Sequence, residues 1–413
     1  MSTSESFGLI PLRWPAEWRE PSVLDSIRAT PINALFAGPD PLPRPIAERA
    51  QALGLRVFDE NHMPADVSIV EGEWPGLRLS RTSGEAVDAG PTGAPWIDSN
   101  TWRVQLERTL APNKRVWVRS KIPHRVIRAV EIPVAIADAA VAGGQWILTV
   151  PADFQSWPEL SGTLRFFASH TDWPGMQTKA VLGVLSSFTG PEKGMASEVL
   201  NLTARLQQPY RILLPSQPIP DLRAVIYAGS KPTPELRRTL ETYVQRGGLL
   251  VVNDNTWSAD EGQGANPDSI QDKGPITGTG LHSEAQTHPR FTIYKAGLGR
   301  LAIPKKAVVD PFQFAADAQT LMSHRWDLVT FWNASAYGSH LTALPAGGVL
   351  LHLVNYTGEA GANHVTARVR GEYQRAVFRR PGHAPENLSI RAVSYAAEVY
   401  LPEFPFYAGL ELS

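Results

Sequence analysis

Four acidic clusters, each directly after a short apolar run, are the places in this chain where chemistry could reside. Asp59-Glu60-Asn61 follows Leu55 to Phe58, and Glu71 and Glu73 follow Val67 to Val70, with Trp74 beside them. Asp98-Ser99-Asn100 follows Trp96-Ile97, and Asp153 follows the run Trp146 to Val150. Paired carboxyl groups can cleave an acetal: one donates a proton to the leaving oxygen while the other, ionised, attacks or activates water. Residues two apart in extended backbone point the same way, so Glu71 and Glu73 can face one pocket. Carboxylates that close push one pKa upward, which suits the acid. Trp74, Trp96 and Trp102 place flat apolar faces beside these acids, a surface on which a sugar ring can stack. On this reading Asp98 with Glu71 or Glu73 forms the catalytic pair. Trp74 is the stacking platform, and Asp59, Glu60, Asn100 and Trp102 complete the substrate contacts.

Every cluster also has a structural reading. Asp98 or Ser99 is placed to cap a helix that starts near Asn100, and Asp153 to cap the next one. Asp59-Glu60 reads equally as the polar end of a strand, and Glu71 with Glu73 as a solvated turn. Trp102 shares a helix face with Leu106 and Leu110, which is the pattern of a core residue. Further on, Asn253-Asp254-Asn255 with Trp257 ends a strand where open sheets bind ligands, or is a plain turn.

The bulk numbers exclude several classes. The 413 residues carry 39 Lys and Arg against 40 Asp and Glu, so no net field draws nucleic acid or an anionic membrane. Cysteine is absent, which removes disulfides, thiolate metal sites and cysteine nucleophiles together. The ten histidines show no metal-ligand spacing, so neither metal nor other cofactor is expected. No apolar run reaches the roughly 18 residues a membrane span needs. The start, MSTSESFGLIPLRWP, lacks the basic and apolar regions of a secretory leader. A cytoplasmic protein is expected, with an exported one lacking its leader as the alternative.

Positioning elements follow from periodicity. Residues 222 to 252 read as one β-α-β unit. Leu222 to Tyr227 is a strand, Thr233-Pro234 starts a helix, Gly247-Gly248 stops it, and Leu249 to Val252 is the next strand. This predicts an open parallel sheet of the Rossmann or flavodoxin type. Before it, seven or eight short strands alternate with helices, as a compact (β/α)8 barrel requires, with an open α/β sheet as the competitor. After Trp326 the pattern is β only, with period-two alternation, which predicts a small antiparallel β-sandwich. The fold class is therefore α/β, with domains at 1–175, 176–325 and 326–413, and a polar loop over 258–290.

That order of domains resembles the β-galactosidases built from a barrel, a Rossmann-like trimerisation domain and a β-sandwich. VLGVLSSFTG with the helix from Ala196, YVQRGGLLVV, and HLVNYT followed by a strand ending in YLPEF carry the likeness. EGEWPG and PTGAPWIDSNTW resemble segments of glycosidase-like bacterial proteins. The middle domain also resembles class I glutamine amidotransferase domains, whose chemistry needs the cysteine that this chain lacks. The resemblance implies a glycoside hydrolase acting on a galactoside or related oligosaccharide, with a homo-oligomer formed through the middle domain. One departure is plain: the family's Asn-Glu acid/base dipeptide appears at no strand end in residues 1 to 175. A non-catalytic carbohydrate-binding or assembly protein of the same architecture is the second expectation.

Overall fold

The computed structural model describes residues 8–38, 40–79, 87–90, 94–123, 125–254, 257, 282–283, 288–361 and 364–413. Contacts divide the chain into two units, Met1–Gln177 with Phe331–Ser413, and Thr178–Thr330. The loop expected at 258–290 lies largely outside the described residues, as do 91–93 of PTGAPWIDSNTW.

Among the described residues eight strands open the first unit: β1 (Pro11–Arg13), β2 (Ala34–Phe36), β3 (Arg56–Phe58), β4 (Val67–Gly72), β5 (Gly76–Leu77), β6 (Ile97–Asp98), β7 (Arg115–Ser120) and β8 (Gln145–Trp146). Five helices alternate with them: α1 (Val23–Ile27), α2 (Arg44–Ala52), α3 (Thr101–Leu110), α4 (Glu131–Ala140) and α5 (Trp157–Ser169). Strands β1 to β3 form one parallel ladder, and β4, β7 and β8 another. A parallel bridge from Leu12 to Leu148 joins the two, so the array runs β3-β2-β1-β8-β7-β4. Strands β5 and β6 stand apart as an antiparallel pair inserted after β4. Among the described residues no ladder joins β3 to β4, so the backbone itself does not close the array into a cylinder.

The alternation of side chains gives this array two apolar faces. Leu12, Leu35, Val116, Val118 and Leu148 pack against helix residues such as Ile46, Val104, Ile132 and Leu160. The opposite face gathers Ala34, Phe36, Trp117 and Ile147, with Phe58 and Ile69 packed against them. Phe58 of β3 meets Trp117 of β7 edge-on at 5.9 Å between ring centroids, although three strands lie between them in the ladder order. The array therefore curls around this inner face. Each apolar side chain fully buried there contributes roughly 1.5–3 kcal/mol.

Two expectations need amendment. Strand β1 and helix α1 were not anticipated, because Pro11 and Pro15 interrupt the apolar pattern. Pro11 is tolerated since it begins its strand and still accepts a hydrogen bond from the Leu148 amide at 2.9 Å. The apolar stretch over 130–141, left without an element, is helix α4, apolar nearly all round because it is buried nearly all round.

The second unit contains β9 (Leu182–Leu185), α6 (Lys193–Arg205), β10 (Tyr210–Leu213), β11 (Ala224–Tyr227), α7 (Pro234–Gln245), β12 (Leu249–Val252), β13 (His282–Ser283), β14 (Phe291–Ala296), β15 (Gly299–Pro304) and α8 (Pro311–Met322). Its sheet order is β10-β9-β11-β12-β15-β14-β13, parallel through β15 and antiparallel beyond. That is the flavodoxin order. Thr233 caps α7 by accepting from the Leu236 amide, and Leu236, Leu240 and Val244 face the sheet. Gly248 packs so closely on Tyr243 that a Cβ there would lie 2.2 Å from its ring.

The remaining strands are β16 (Val329–Trp332), β17 (Tyr337–Ala343), β18 (Val349–Asn355), β19 (Thr366–Arg370), β20 (Ala376–Arg379), β21 (Glu386–Leu388), β22 (Ile390–Val393), β23 (Ala396–Tyr400) and β24 (Tyr407–Leu412). They make two sheets, β16-β19-β23-β22 and β17-β18-β24-β20-β21. Strand β18 is buried at every position, and its even-numbered residues Leu350 and Val354 pack with Val134 and Trp173. Burial on both faces explains why VLLHLV reads as a continuous apolar run rather than an alternating one. Among the described residues no helix is long and apolar enough to cross a membrane.

Candidate functional site

The C-terminal ends of parallel strands are where loops gather and where such folds place chemistry. By alternation, Arg13, Glu71 and Arg119 extend the inner face above Leu9, Ile69 and Trp117. Arg119 is the centre of this upper layer. Its Nε donates to Glu71 at 2.7 Å and its Nη1 to Glu60 at 2.6 Å, so carboxylates from the ends of β3 and β4 meet on one guanidinium. The gap that no ladder closes is thus spanned by ion pairs at the mouth.

Next to this layer the loops after β1, β2, β7 and β8 enclose a cleft of about 750 Å³. Glu17, Asp40 and Asp153 line it together with Arg13, Arg19 and Arg125. The loop after β1 is held in place by its tryptophans: Trp14 Nε1 donates to the Trp18 carbonyl, and Trp18 Nε1 to that of Ala152 at 2.7 Å. None of the residues Arg13, Glu17, Arg19, Asp40 and Arg125 was singled out from sequence. The available signal was RWPAEWRE, charged residues between two tryptophans, but without β1 it had no strand end to belong to.

The clusters read from sequence separate into three environments. In the first, Asp98 ends β6 and pairs in bidentate fashion with Arg78, at 3.1 Å from Nε and 2.5 Å from Nη2. The Arg78 guanidinium is held above its ordinary value by those hydrogen bonds, against burial, with the charges of Asp98, Glu73 and Asp88 adding to them. Arg78 therefore brings Asp98 and Glu73 into one field, while Glu71 belongs to Arg119. The two glutamates share a segment but answer to different cations.

The second environment is closed. Asn100 has 0% exposure, accepting from the Glu73 amide at 2.9 Å and donating to the Glu73 carbonyl at 2.8 Å. Gly72 permits this approach, since a Cβ there would lie 2.5 Å from Asn100 Oδ1. Beneath it Asp138 of α4, also with no exposure, accepts from Ser99 at 2.6 Å, the Asn100 amide at 2.9 Å and Tyr356 at 2.6 Å. Burial pushes the Asp138 carboxyl up, while the hydrogen bonds from Ser99, Tyr356 and Asn100 favour its charged form. Trp102 is buried beside this network. Asn100 holds the backbone of Glu73, and both Asn100 and Trp102 are buried and present little surface to a sugar.

In the third, half-buried Trp74 donates from Nε1 to Glu131 at 2.9 Å and meets Trp146 edge-on at 5.6 Å. Glu131 also takes both Arg125 amino groups at 2.9 Å and Arg128 Nε at 3.0 Å. Burial alone would raise the Glu131 carboxyl, but the hydrogen bonds from Arg125 and Arg128 hold it below the ordinary carboxylate range. Since Arg125 lines the cleft, Glu131 couples Trp74 to that wall. Asp59 instead serves its own turn: a hydrogen bond with His62, aided by the amides of Asn61 and His62, lowers its carboxyl. In the second unit Asn253 Oδ1 and Trp257 Nε1 are buried without a partner among the described residues. Among the described residues no group of three or more His, Asp or Glu side chains could hold a metal ion.

No family model matches the sequence. No curated protein matches it either. The fold does have counterparts among solved structures. An α-L-fucosidase, isoenzyme 2 from Paenibacillus thiaminolyticus, aligns over 95% of this chain and 79% of its own, at 9% identity and a TM-score of 0.52. A rhamnosidase from Novosphingobium sp. PP1Y aligns over 89% of this chain at 15% identity and a TM-score of 0.52, but this chain spans only 38% of its length. A β-galactosidase from Rahnella sp. R3 aligns at 10% identity and a TM-score of 0.48, below the level at which likeness speaks to the fold. The chain has a glycoside hydrolase-like fold.

Proposed function

We propose that this chain is a glycoside hydrolase, acting on a galactoside or a related oligosaccharide at the mouth of its front strands, which we read as a curtailed barrel. The observation that carries the reading is the convergence of Glu60 and Glu71, from two strand ends, on Arg119; none of the three lines the cleft, which Arg13 of the same inner face reaches. The Arg119 guanidinium orients the Glu71 carboxylate, which suits Glu71 as nucleophile or base. The acid must hold a proton and release it. Glu73 is exposed and its carboxyl makes no hydrogen bond among the described residues, so it is free to meet a leaving oxygen. Asp98 acts through Arg78 as a positioning residue, and Trp74 offers the sugar a ring held by Glu131. The names borne by the similar structures widen the substrate class to fucosides and rhamnosides.

A second reading, carbohydrate binding without hydrolysis, draws support from the same ion pairs. Glu60, Glu71, Asp98 and Glu131 are all held by arginine, an arrangement that occupies their oxygens and leaves Glu73 as the candidate for the acid role. A screen of chromogenic galactosides, fucosides and rhamnosides separates the two. Hydrolysis is expected, with Glu71→Gln and Glu73→Gln each slowing turnover about a hundredfold or more. Saccharide binding with no turnover on any substrate leaves the second reading standing, and turnover unchanged in both variants removes this pair.

A further inference from the structure

Within the second unit the edge of the sheet that holds the N-terminal ends of its parallel strands carries a cleft of about 390 Å³. Its lining includes Arg223 just before β11, Lys295 of β14, Arg300 of β15, and Arg325 with Trp326 after α8. No carboxylate lines it among the described residues. Asp221, only two residues from Arg223, is not part of the lining. Among the described residues no ion pair links Arg223, Lys295 or Arg300 to an acid, whereas Arg237 and Arg238 on α7 each have a glutamate partner.

Two features make this more than an exposed basic surface. Lys295 and Arg300 are direct cross-strand partners in the antiparallel ladder, a placement in which like charges oppose folding. The guanidinium of Arg223 lies 4.1 Å from the centroid of the Trp326 ring, and that of Arg325 lies 5.3 Å from it. Stacking fixes the plane of the Arg223 fork, and Arg300 is anchored by its hydrogen bond to the Leu321 carbonyl at 3.1 Å. The fork geometry of guanidinium matches two oxygens of a tetrahedral oxyanion, and a lysine adds a point charge. A concavity of this size also has room for a small polar group attached to that anion.

We propose that this cleft binds a tetrahedral oxyanion ester, a phosphate or sulfate carried on a small polar molecule. The anion relieves the repulsion between Lys295 and Arg300 and completes the coordination of Arg223. The site is independent of the mouth in the first unit, and it lies at the sheet edge opposite the one where open α/β sheets bind their ligands.

The test is calorimetric titration of the full chain at low ionic strength with glucose 6-phosphate, glucose 6-sulfate and unmodified glucose. The phosphate or sulfate ester is expected to bind while glucose does not, and the two esters identify which oxyanion the cleft prefers. Arg223→Gln and Arg300→Gln should each weaken binding about tenfold or more. Lys295→Gln should raise the melting temperature of the ligand-free protein and shrink the rise that the ester produces. Ester binding no stronger than glucose overturns the proposal, as does affinity unchanged by both arginine substitutions. A fall in melting temperature for Lys295→Gln removes the repulsion argument and the proposal with it.

Discussion

Two regions of this molecule treat charge in opposite ways. At the mouth of the first unit most of the candidate carboxylates are matched: Glu60 and Glu71 with Arg119, Asp98 with Arg78, and Glu131 with Arg125 and Arg128, while Glu73 has no ion pair among the described residues. In the cleft of the second unit Arg223, Lys295 and Arg300 stand without an acid among the described residues, two of them face to face across a ladder. Matched charge holds loops and orients carboxylates, so it prepares a surface for a neutral ligand. Unmatched charge is a standing cost that only an anion removes. The same residue types thus indicate different partners, and the distinction lies in what faces them.

The largest expected effect comes from breaking a match that is buried. Asp138→Ala leaves Ser99, the Asn100 amide and Tyr356 without their acceptor in a site sealed from water. A loss of about 3 kcal/mol in urea-denaturation stability is expected, with Tyr356→Phe losing less. A loss under about 1 kcal/mol for Asp138→Ala would show that the network is not what secures Asn100 and the segment above it.

Acid should impose on the first unit the unmatched condition of the second. His340 and His352 are direct cross-strand partners, buried, with rings 6.0 Å apart. Burial, with the Arg108 cation adding to it, lowers His340 to about 4, and burial lowers His352 well below the usual value. Their other neighbours, Gln105 at 3.1 Å from His340 and Tyr407 at 2.9 Å from His352, carry no compensating charge. With folded values depressed, the unfolded chain binds protons that the folded chain refuses. Stability is therefore complete above about pH 6.5 and falls as pH drops toward 4. Urea titrations across that window should show the decline, and His340→Gln should make it shallower. An unchanged slope in the variant would assign the decline to other groups.

The smallest effect belongs to matched charge in solvent. Arg119→Gln should change stability by less than about 1 kcal/mol, because both of its acids are at least half exposed. If Glu71 is the base, the same variant should nonetheless lower kcat, since its carboxylate loses the cation that orients it. A kcat that does not move would separate Glu71 from the chemistry.

The middle unit was the more legible half of the fold. Its helix α7 carries a cap, a first-turn proline, a clean apolar stripe and a glycine stop, each a local device that works without knowledge of the rest. The front was harder because its strands are two to six residues long and prolines interrupt the first of them. Strands β17 and β24 were missed for a related reason: buried glycines and polar residues such as His340 break the alternation. Among the candidate residues, Glu71, Glu73, Trp74 and Asp98 were legible as acids and a platform at strand ends. That Glu71 turns to Arg119 while Glu73 and Asp98 share Arg78 was not, since each arginine lies on a different element from the acids it holds or influences, in most cases tens of residues distant.

What the amino-acid order determines here is local. It sets which segments can be strands or helices, where helices begin and stop, and the absence of cysteine chemistry. Partnership required the folded chain. Asn100 and Trp102 look identical in sequence to residues that could meet a substrate, yet both are buried, Asn100 against an Asp138 whose other partner Tyr356 lies 218 positions away in the chain. Arg223 and Lys295 read as ordinary surface charge until the sheet sets them around one cleft. Coulombic and hydrogen-bond energies depend on distance and solvent exposure, and neither quantity exists until distant segments have come together.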